Sequence, residues 1–466
     1  MAVTQEPPIP SQIVERRIHL PFIDTDPLID IALVVILLPL WWALGIEQFI
    51  WPIILGIAAA KVLYLQRWRV RISAPLKWFG LFIVAVLLSS FFIVEPIRWM
   101  TYARNFGAII AGFLTLFVIT NRAHSWRSIE ILLNAALLAI IIAGVMGLLA
   151  VVGIWRPSFQ SIAGNLLPAS AAATGYGQMI VFRALGDQSW FLGLGDYYRV
   201  HSLFLFSNSY SSVLVYAIPL LFFKLEQYRG LKKALIILAI VLLLINLIYT
   251  TGRVATLALL GGAFFFALFY SLRRRAIRAI VGLGLALLIL SMLFSTVVEL
   301  SSTSQDEGVI SQFVSAVNSF VFARGPGSFV SRTSVYQATL VSFAERPLFG
   351  WGTERDVEGL DLPLGSHSEY FAVLYRQGLF GIIAFAGLLW AVWRAAKPPP
   401  GAAALSPAGT FLRYGRWFFI TSLINSIMTD PTIDSSEYVL LWLLIALLIA
   451  SAQLLYRQGA YDLRTN

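Results

Sequence analysis

Twelve stretches of this sequence are apolar over about the length needed to cross a hydrocarbon core. They lie near residues 28–46, 48–65, 78–95, 103–120, 129–153, 203–223, 233–250, 254–271, 279–297, 369–393, 411–428 and 437–455. A lipid interior offers the backbone no hydrogen-bond partners, so such stretches cross it as helices. The expectation is an all-α polytopic membrane protein of about twelve transmembrane helices. Composition agrees: 58% of residues are hydrophobic, 12% are charged and the mean hydropathy is +0.78. Soluble domains carry roughly 25% charged residues, so a water-soluble enzyme is excluded. The sequence has no cysteine, which removes disulfides, thiolate metal sites and cysteine nucleophiles.

Charge sets the expected orientation. An even number of spans puts both termini on one side, and the alternate loops of that side collect Arg67, Arg69 and Arg71, then Lys224, Arg229, Lys232 and Lys233, then Arg273, Arg274, Arg275 and Arg278. That side holds 23 Lys and Arg against 8 Asp and Glu, and the opposite side 11 against 16. The positive-inside rule makes the basic side cytoplasmic, and the net charge of +10 then needs no nucleic-acid partner. Residues 1–27 read as a cytoplasmic tail; Pro7, Pro8, Pro10, Arg16 and Arg17 do not make a cleaved signal peptide. Residues 28–455 form one membrane domain and residues 456–466 a second cytoplasmic tail.

Two outward connections are long, about 154–202 and 298–368, and long loops on a polytopic chain are where site residues concentrate. Polar residues at outer mouths of spans need a reason beyond span formation. Arg253 follows Thr250-Thr251-Gly252, between the seventh and eighth spans, where its guanidinium suits a phosphate and a helix N-terminus would add amides. Arg199 and His201 precede Ser207, Asn208, Ser209, Tyr210, Ser211 and Ser212, a polar patch that faces a cavity if the sixth span is a helix. In the second loop, Arg324 sits in a Gly-Pro-Gly turn and Arg332 opens an amphipathic helix expected over about 331–345. His367, between Ser366 and Ser368 at the mouth of the tenth span, has a ring that can accept a proton near neutral pH. Glu354, Asp356, Glu358 and Asp361 are not spaced as a tight cation cage, so no metal or other cofactor is expected.

Three segments, taken in order, resemble the O-antigen ligase and O-antigen polymerase superfamily: Arg199 to Asn208; Thr250-Thr251-Gly252-Arg253; and Arg332 through Pro347-Leu348-Phe349-Gly350-Trp351-Gly352 and His367-Ser368-Glu369-Tyr370 to Gly378-Leu379-Phe380-Gly381. The resemblance implies a GT-C-like inverting glycosyltransferase in the bacterial inner membrane with its active site facing the periplasm. It implies transfer of a glycan from an undecaprenyl diphosphate carrier to an acceptor sugar hydroxyl, on lipid A core or another glycolipid, among membrane lipids and without nucleic acid. By this resemblance Arg253 and Arg199 face the diphosphate, His367 is the base and Asn208 matches a Pro-Asn pair; Arg332 and His201 are further substrate-binding candidates. Ser207, Ser368 and Val254 stand where the family commonly has Pro, Asn and a small residue.

Ligase is the first reading and a polymerase of O-antigen or exopolysaccharide the second. Two Arg-x10-Gly motifs would favour polymerase, but Tyr210 follows Arg199 and Phe343 follows Arg332 at that spacing. A small-anion transporter is the reading from a different class; its site is expected near mid-bilayer in repeated halves, whereas these polar residues lie at outer mouths and no repeat is visible.

Overall fold

A computed structural model describes residues 26–167, 172, 175–190, 196–269, 325–360, 362–398 and 404–457. The ninth apolar stretch, Arg324, Asp361 and both tails except Asp26, Pro27 and residues 456–457 lie outside the described residues. Every other expected stretch coincides with helix. In chain order these are α1 (Ile29–Ile36), α2 (Leu38–Leu44), α3 (Ile50–Leu65), α4 (Ala74–Ser90), α5 (Arg98–Arg122), α6 (Trp126–Val151), the short α7 (Gly175–Val181), α8 (Ser207–Gln227), α9 (Gly230–Tyr249), α10 (Arg253–Phe269), α11 (Gly325–Glu345), α12 (Glu369–Ala395), α13 (Pro407–Asn425) and α14 (Ser435–Arg457). Among the described residues five, α5, α6, α9, α12 and α14, are long and apolar enough to cross a membrane unaided; α3, α4 and α10 are shorter apolar helices.

The first expected span is two helices, because the chain leaves helical geometry at Leu37 and Pro39 begins the next. The helix expected over 331–345 starts at Gly325, since Pro326 fits the first turn of a helix; Arg332 is therefore inside α11 rather than at its start. Not all of the chain is helical. The first long loop folds into two antiparallel ribbons, β1 (Ser158–Gln160) with β2 (Phe182–Ala184), and β3 (Gly186–Trp190) with β4 (Asp196–Val200). In the second ribbon Asp187 pairs with Arg199 and Gly186 with Val200.

Helix α14 is the centre of the bundle and is buried along nearly its whole length. It packs on α5 and α13; α12 packs on α4; and α8 packs on α9 and α13, with α10 on α13. The outer faces leave Leu33, Ile57, Leu238, Phe264 and Ile383 exposed. Such bare apolar surface is what helices bordered by lipid require. At one end of the bundle Arg122 pairs with Asp30 at 3.0 Å, Lys224 with Glu130 at 2.8 Å, and Arg71 nitrogen donates to Asn121 at 2.7 Å. This is the basic end. The ribbons, the Thr250–Gly252 turn and residues 346–360 and 362–368 lie at the other.

Helix α12 contains a break. Gly378 has φ 68° and ψ −163°, so the backbone groups around it lose their helical partners. The segment before α12 replaces them: Leu379 and Phe380 nitrogens donate to Pro347 and Leu348 oxygens at 2.7 and 3.2 Å, and Trp351 and Gly352 nitrogens donate to Tyr375 and Arg376 oxygens at 2.9 and 2.8 Å. The fit is close. A Cβ on Gly378 would clash with Leu348 oxygen, and one on Gly350 with Tyr375 oxygen. Gly378→Ala should therefore lower stability by about 1–3 kcal/mol or more, through left-handed strain plus a backbone clash. Thermal unfolding in detergent checks this; a midpoint equal to wild type would mean the break relaxes freely.

Candidate active site

The turn joining α9 to α10 is fixed by local chemistry. Thr250 nitrogen donates to Asn246 oxygen at 2.9 Å, Gly252 nitrogen donates to Thr250 Oγ1 at 3.2 Å, and Thr251 takes φ 53°, costly for a β-branched residue. Gly252 lies so close to α8 that a Cβ there would meet Ser211 Cβ at 2.5 Å. Gly252 oxygen accepts from Thr256 nitrogen at 3.0 Å, which makes Arg253 the first residue of α10. Strand β4 brings Arg199 to this turn: Nε donates to Thr250 oxygen at 3.1 Å, and Nη2 donates to Asn208 Oδ1 at 3.1 Å on the first turn of α8. Arg199, Asn208 and the Thr250–Arg253 turn thus meet where the N-termini of α8 and α10 converge. The Arg199 guanidinium and two helix N-termini bring positive charge to this corner, and Arg253 begins one of the two helices.

His201 follows β4 and is fixed by its own loop. Its nitrogen and that of Ser202 donate to Leu185 oxygen at 3.0 and 2.8 Å, and ring Nδ1 lies 2.8 Å from Phe204 oxygen. A carbonyl can only accept, so Nδ1 carries the proton. Burial holds the ring's pKa below the usual histidine value, against the pull of Asp187, and the ring is neutral with Nε2 as an acceptor. A cavity of about 260 Å³ opens beside it, lined also by Arg199, Asp187, Arg183, Trp42 and Phe206.

His367 stands directly before α12, and it too has left-handed backbone, φ 60°. Tyr336 of α11 donates its hydroxyl to His367 oxygen at 3.2 Å, and the Tyr336 ring stacks on Phe371 with centroids 4.7 Å apart. Ser368 caps α12 by accepting from Phe371 nitrogen. Glu369 nitrogen donates to Ser426 and Thr429 oxygens, Asn425 Nδ2 donates to Thr429 Oγ1 at 3.0 Å and to Ser212 Oγ at 2.8 Å, and Ser212 Oγ donates to Asn208 oxygen at 2.9 Å. This continuous chain of bonds links the helix behind His367 to the helix that holds Asn208. Among the described residues five non-glycine residues have positive φ, and Ser202, Thr251 and His367 are three of them. Strain concentrated this way marks positions whose geometry the surroundings enforce. For Arg332 the structure gives only its place within α11.

Sequence reasoning missed a buried ionic cluster beside this region. Arg376, 4% exposed and on α12, donates to Asp430 at 2.6 Å and lies 3.0 Å from Glu354. Arg104 donates to Glu354 at 2.7 Å, and Arg98 donates to the oxygens of Trp351 and Thr353 at 2.7 and 3.0 Å. Glu354, grouped in sequence with three other loop carboxylates, is committed to arginines. Burial alone would raise its pKa, but Arg376 and Arg104 hold it below the usual glutamate value. Arg376 within an apolar span was the signal available. A second cluster ties the ribbons down: Arg183 forms a fork with Glu47 at 2.9 and 3.0 Å, and Asp434 accepts from Gln48 at 3.1 Å, Leu205 nitrogen at 2.9 Å and Ser436 nitrogen at 3.0 Å. Burial pushes the Glu47 carboxyl up to about 7 despite Arg183.

Arg376→Met leaves Glu354 and Asp430 short of a counter-charge in a dry site and should cost about 3–5 kcal/mol in unfolding measurements; a loss under about 1 kcal/mol would show the cluster is solvated. Because the folded-state pKa of Glu47 is raised above its unfolded value, its contribution is present below about pH 4.5 and is lost as pH rises toward 7. The unfolding midpoint of Glu47→Gln should therefore fall less than that of wild type between those values; parallel pH curves would refute the assignment.

Residues 238–386 match the family described as O-Antigen ligase, a stretch that contains Arg253, Arg332, His367 and the break at Gly378 and begins after Arg199, His201 and Asn208. No curated protein matches the chain.

Proposed function

We propose that this chain, whose residues 238–386 match the O-antigen ligase family, is an inverting glycosyltransferase of the bacterial inner membrane. It moves a glycan from undecaprenyl diphosphate to an acceptor sugar hydroxyl at the periplasmic face, without a metal, and acts as the ligase that joins O-antigen to lipid A core. The observation that carries this reading is the anion-attracting corner, where Arg199 touches both Asn208 and the turn that starts α10 at Arg253.

Arg253 and Arg199 hold the diphosphate there. Negative charge builds on the leaving diphosphate as the glycosidic bond breaks, so fixed cations that tighten on it lower the barrier. The acceptor hydroxyl oxygen attacks the anomeric carbon from the opposite face and gives its proton to His367. The carbon–oxygen bond to the diphosphate breaks, and its electron pair leaves with the phosphate oxygen. One displacement inverts the anomeric centre. Asn208, His201 and Arg332 contribute to substrate binding. The ligase reading draws on Tyr210 and Phe343, which stand where the polymerase pattern has glycine. Against transport, the break in α12 is filled by the chain's own 347–352 backbone.

Purified His367→Ala and Arg253→Ala should each lose at least about a hundredfold in glycan transfer, the lower end of general-base and charge-stabilisation effects. Near-wild-type transfer by either removes that residue from the mechanism. Tyr336→Phe removes one hydrogen bond to His367 oxygen and should lower kcat about two- to tenfold with little change in donor KM. A change confined to KM would contradict a positioning role. Mass spectrometry of the product separates ligase from polymerase, since the new sugar bond ends on lipid A core in one case and on a carrier-linked glycan in the other.

A further inference from the structure

The cavity of about 260 Å³ beside β4 is smaller than the roughly 300–1,000 Å³ of sites for drug-sized ligands, so it suits one sugar ring rather than an oligosaccharide. Its lining is mixed. Trp42 and Phe204 are buried, Phe182 is exposed, and Phe206 is half-buried between them in exposure. Polar groups enter from the second ribbon: Asp187 and Arg199 are paired across the strands, and His201 follows directly. The walls are held rigidly, through the Arg183–Glu47 fork on one side and the Leu205–Asp434 bond on the other.

The charges distinguish possible occupants. Arg199 reaches out of the cavity to Thr250 and Asn208, toward the corner assigned to the diphosphate. Asp187 would repel a phosphate placed inside. A neutral, hydroxyl-rich group is different, because a carboxylate oxygen and the unprotonated Nε2 of His201 are both acceptors for hydroxyl protons. Apolar ring faces beside such acceptors match the two surfaces of a pyranose, one of C–H groups and one of hydroxyls.

We infer that this cavity seats the first sugar of the donor glycan, the ring bonded to the diphosphate, with Asp187 and His201 accepting its hydroxyls and Phe182 and Phe206 covering its apolar face. The inference rests on the proposed role of Arg199 in holding the carrier diphosphate. It makes residues of the first outer loop, upstream of the family match, readers of donor identity. Asp187 and Phe182 are exposed, so replacing them removes contacts without opening the core.

The test compares two probes on detergent-purified protein: the native lipid-linked glycan extracted from cells that make it, and bare undecaprenyl diphosphate. Asp187→Ala and Phe182→Ala should each weaken binding of the glycan-bearing lipid by about tenfold, a change equal to about 1.4 kcal/mol, and leave bare-lipid affinity unchanged. Arg199→Ala should weaken both probes. If Asp187→Ala and Phe182→Ala weaken neither probe, or weaken both alike, the sugar site is overturned while the arginine result stands independently. If Arg199→Ala weakens neither, the diphosphate assignment fails, and with it the placement of the sugar as the one next to the diphosphate. An Asp187→Ala protein that binds donor normally but shows a raised KM for acceptor would overturn the donor assignment by giving the cavity to the acceptor's sugar.

Discussion

The pairing of the Pro347–Gly352 backbone with the broken turn of α12 is the interaction on which the other features of this end of the protein depend. A helix broken within a membrane protein leaves amides and carbonyls that lipid cannot satisfy, and each unsatisfied group costs several kcal/mol. Here one segment of the same chain supplies the partners, and only glycine at 350 and 378 lets the two backbones approach so closely. That docking brings Glu354 to Arg104 and Arg376, and His367 stands at the mouth of α12. The position of the candidate base is therefore a consequence of how a break in a helix is repaired.

A second organising feature is the direction of the helices. α8, α10, α12 and α14 all begin at the end of the bundle opposite the basic loops, at Ser207, Arg253, Glu369 and Ser435. Their dipoles present positive ends to the same region. Some of that charge is used internally: Asp434 accepts from the Ser436 amide at the start of α14. At the starts of α8 and α10, Asn208 and the turn before Arg253 both bond to Arg199, which adds cationic charge to that end. The buried ion pairs nearby have a separate part. Charges this deeply desolvated contribute little net stability, but they fix which loop packs where, and the Arg183–Glu47 fork does so for the β ribbons.

Much of the architecture was legible in the sequence because lipid imposes one simple rule, and runs of apolar residues near the bilayer thickness report it directly. Helix positions agreed to within a few residues wherever the structure describes them. The departures have local causes: Pro39 splits the first stretch, Pro326 permits an earlier start for α11, and the first long loop forms ribbons. Those ribbons were hard to foresee, since strands of three to five residues carry too little alternation to be distinguished from irregular loop. The candidate residues themselves were visible as arginines and histidines out of place at the mouths of spans.

What the sequence determined by itself is thus the membrane-embedded helical class, the expected sidedness and the residue types that suit a diphosphate and a proton acceptor, because transfer free energy and charge are properties of residues taken one at a time. Only the tertiary structure decided that Arg199 reaches Asn208 and the turn before Arg253, that Arg376 pairs with Glu354 and Asp430, and that the His201 ring, bonded to Phe204 oxygen, lines a cavity of about 260 Å³. These are contacts between segments tens to hundreds of residues apart. Their geometry is set by helix packing and by the repair of one broken turn, and neither is written in any local pattern.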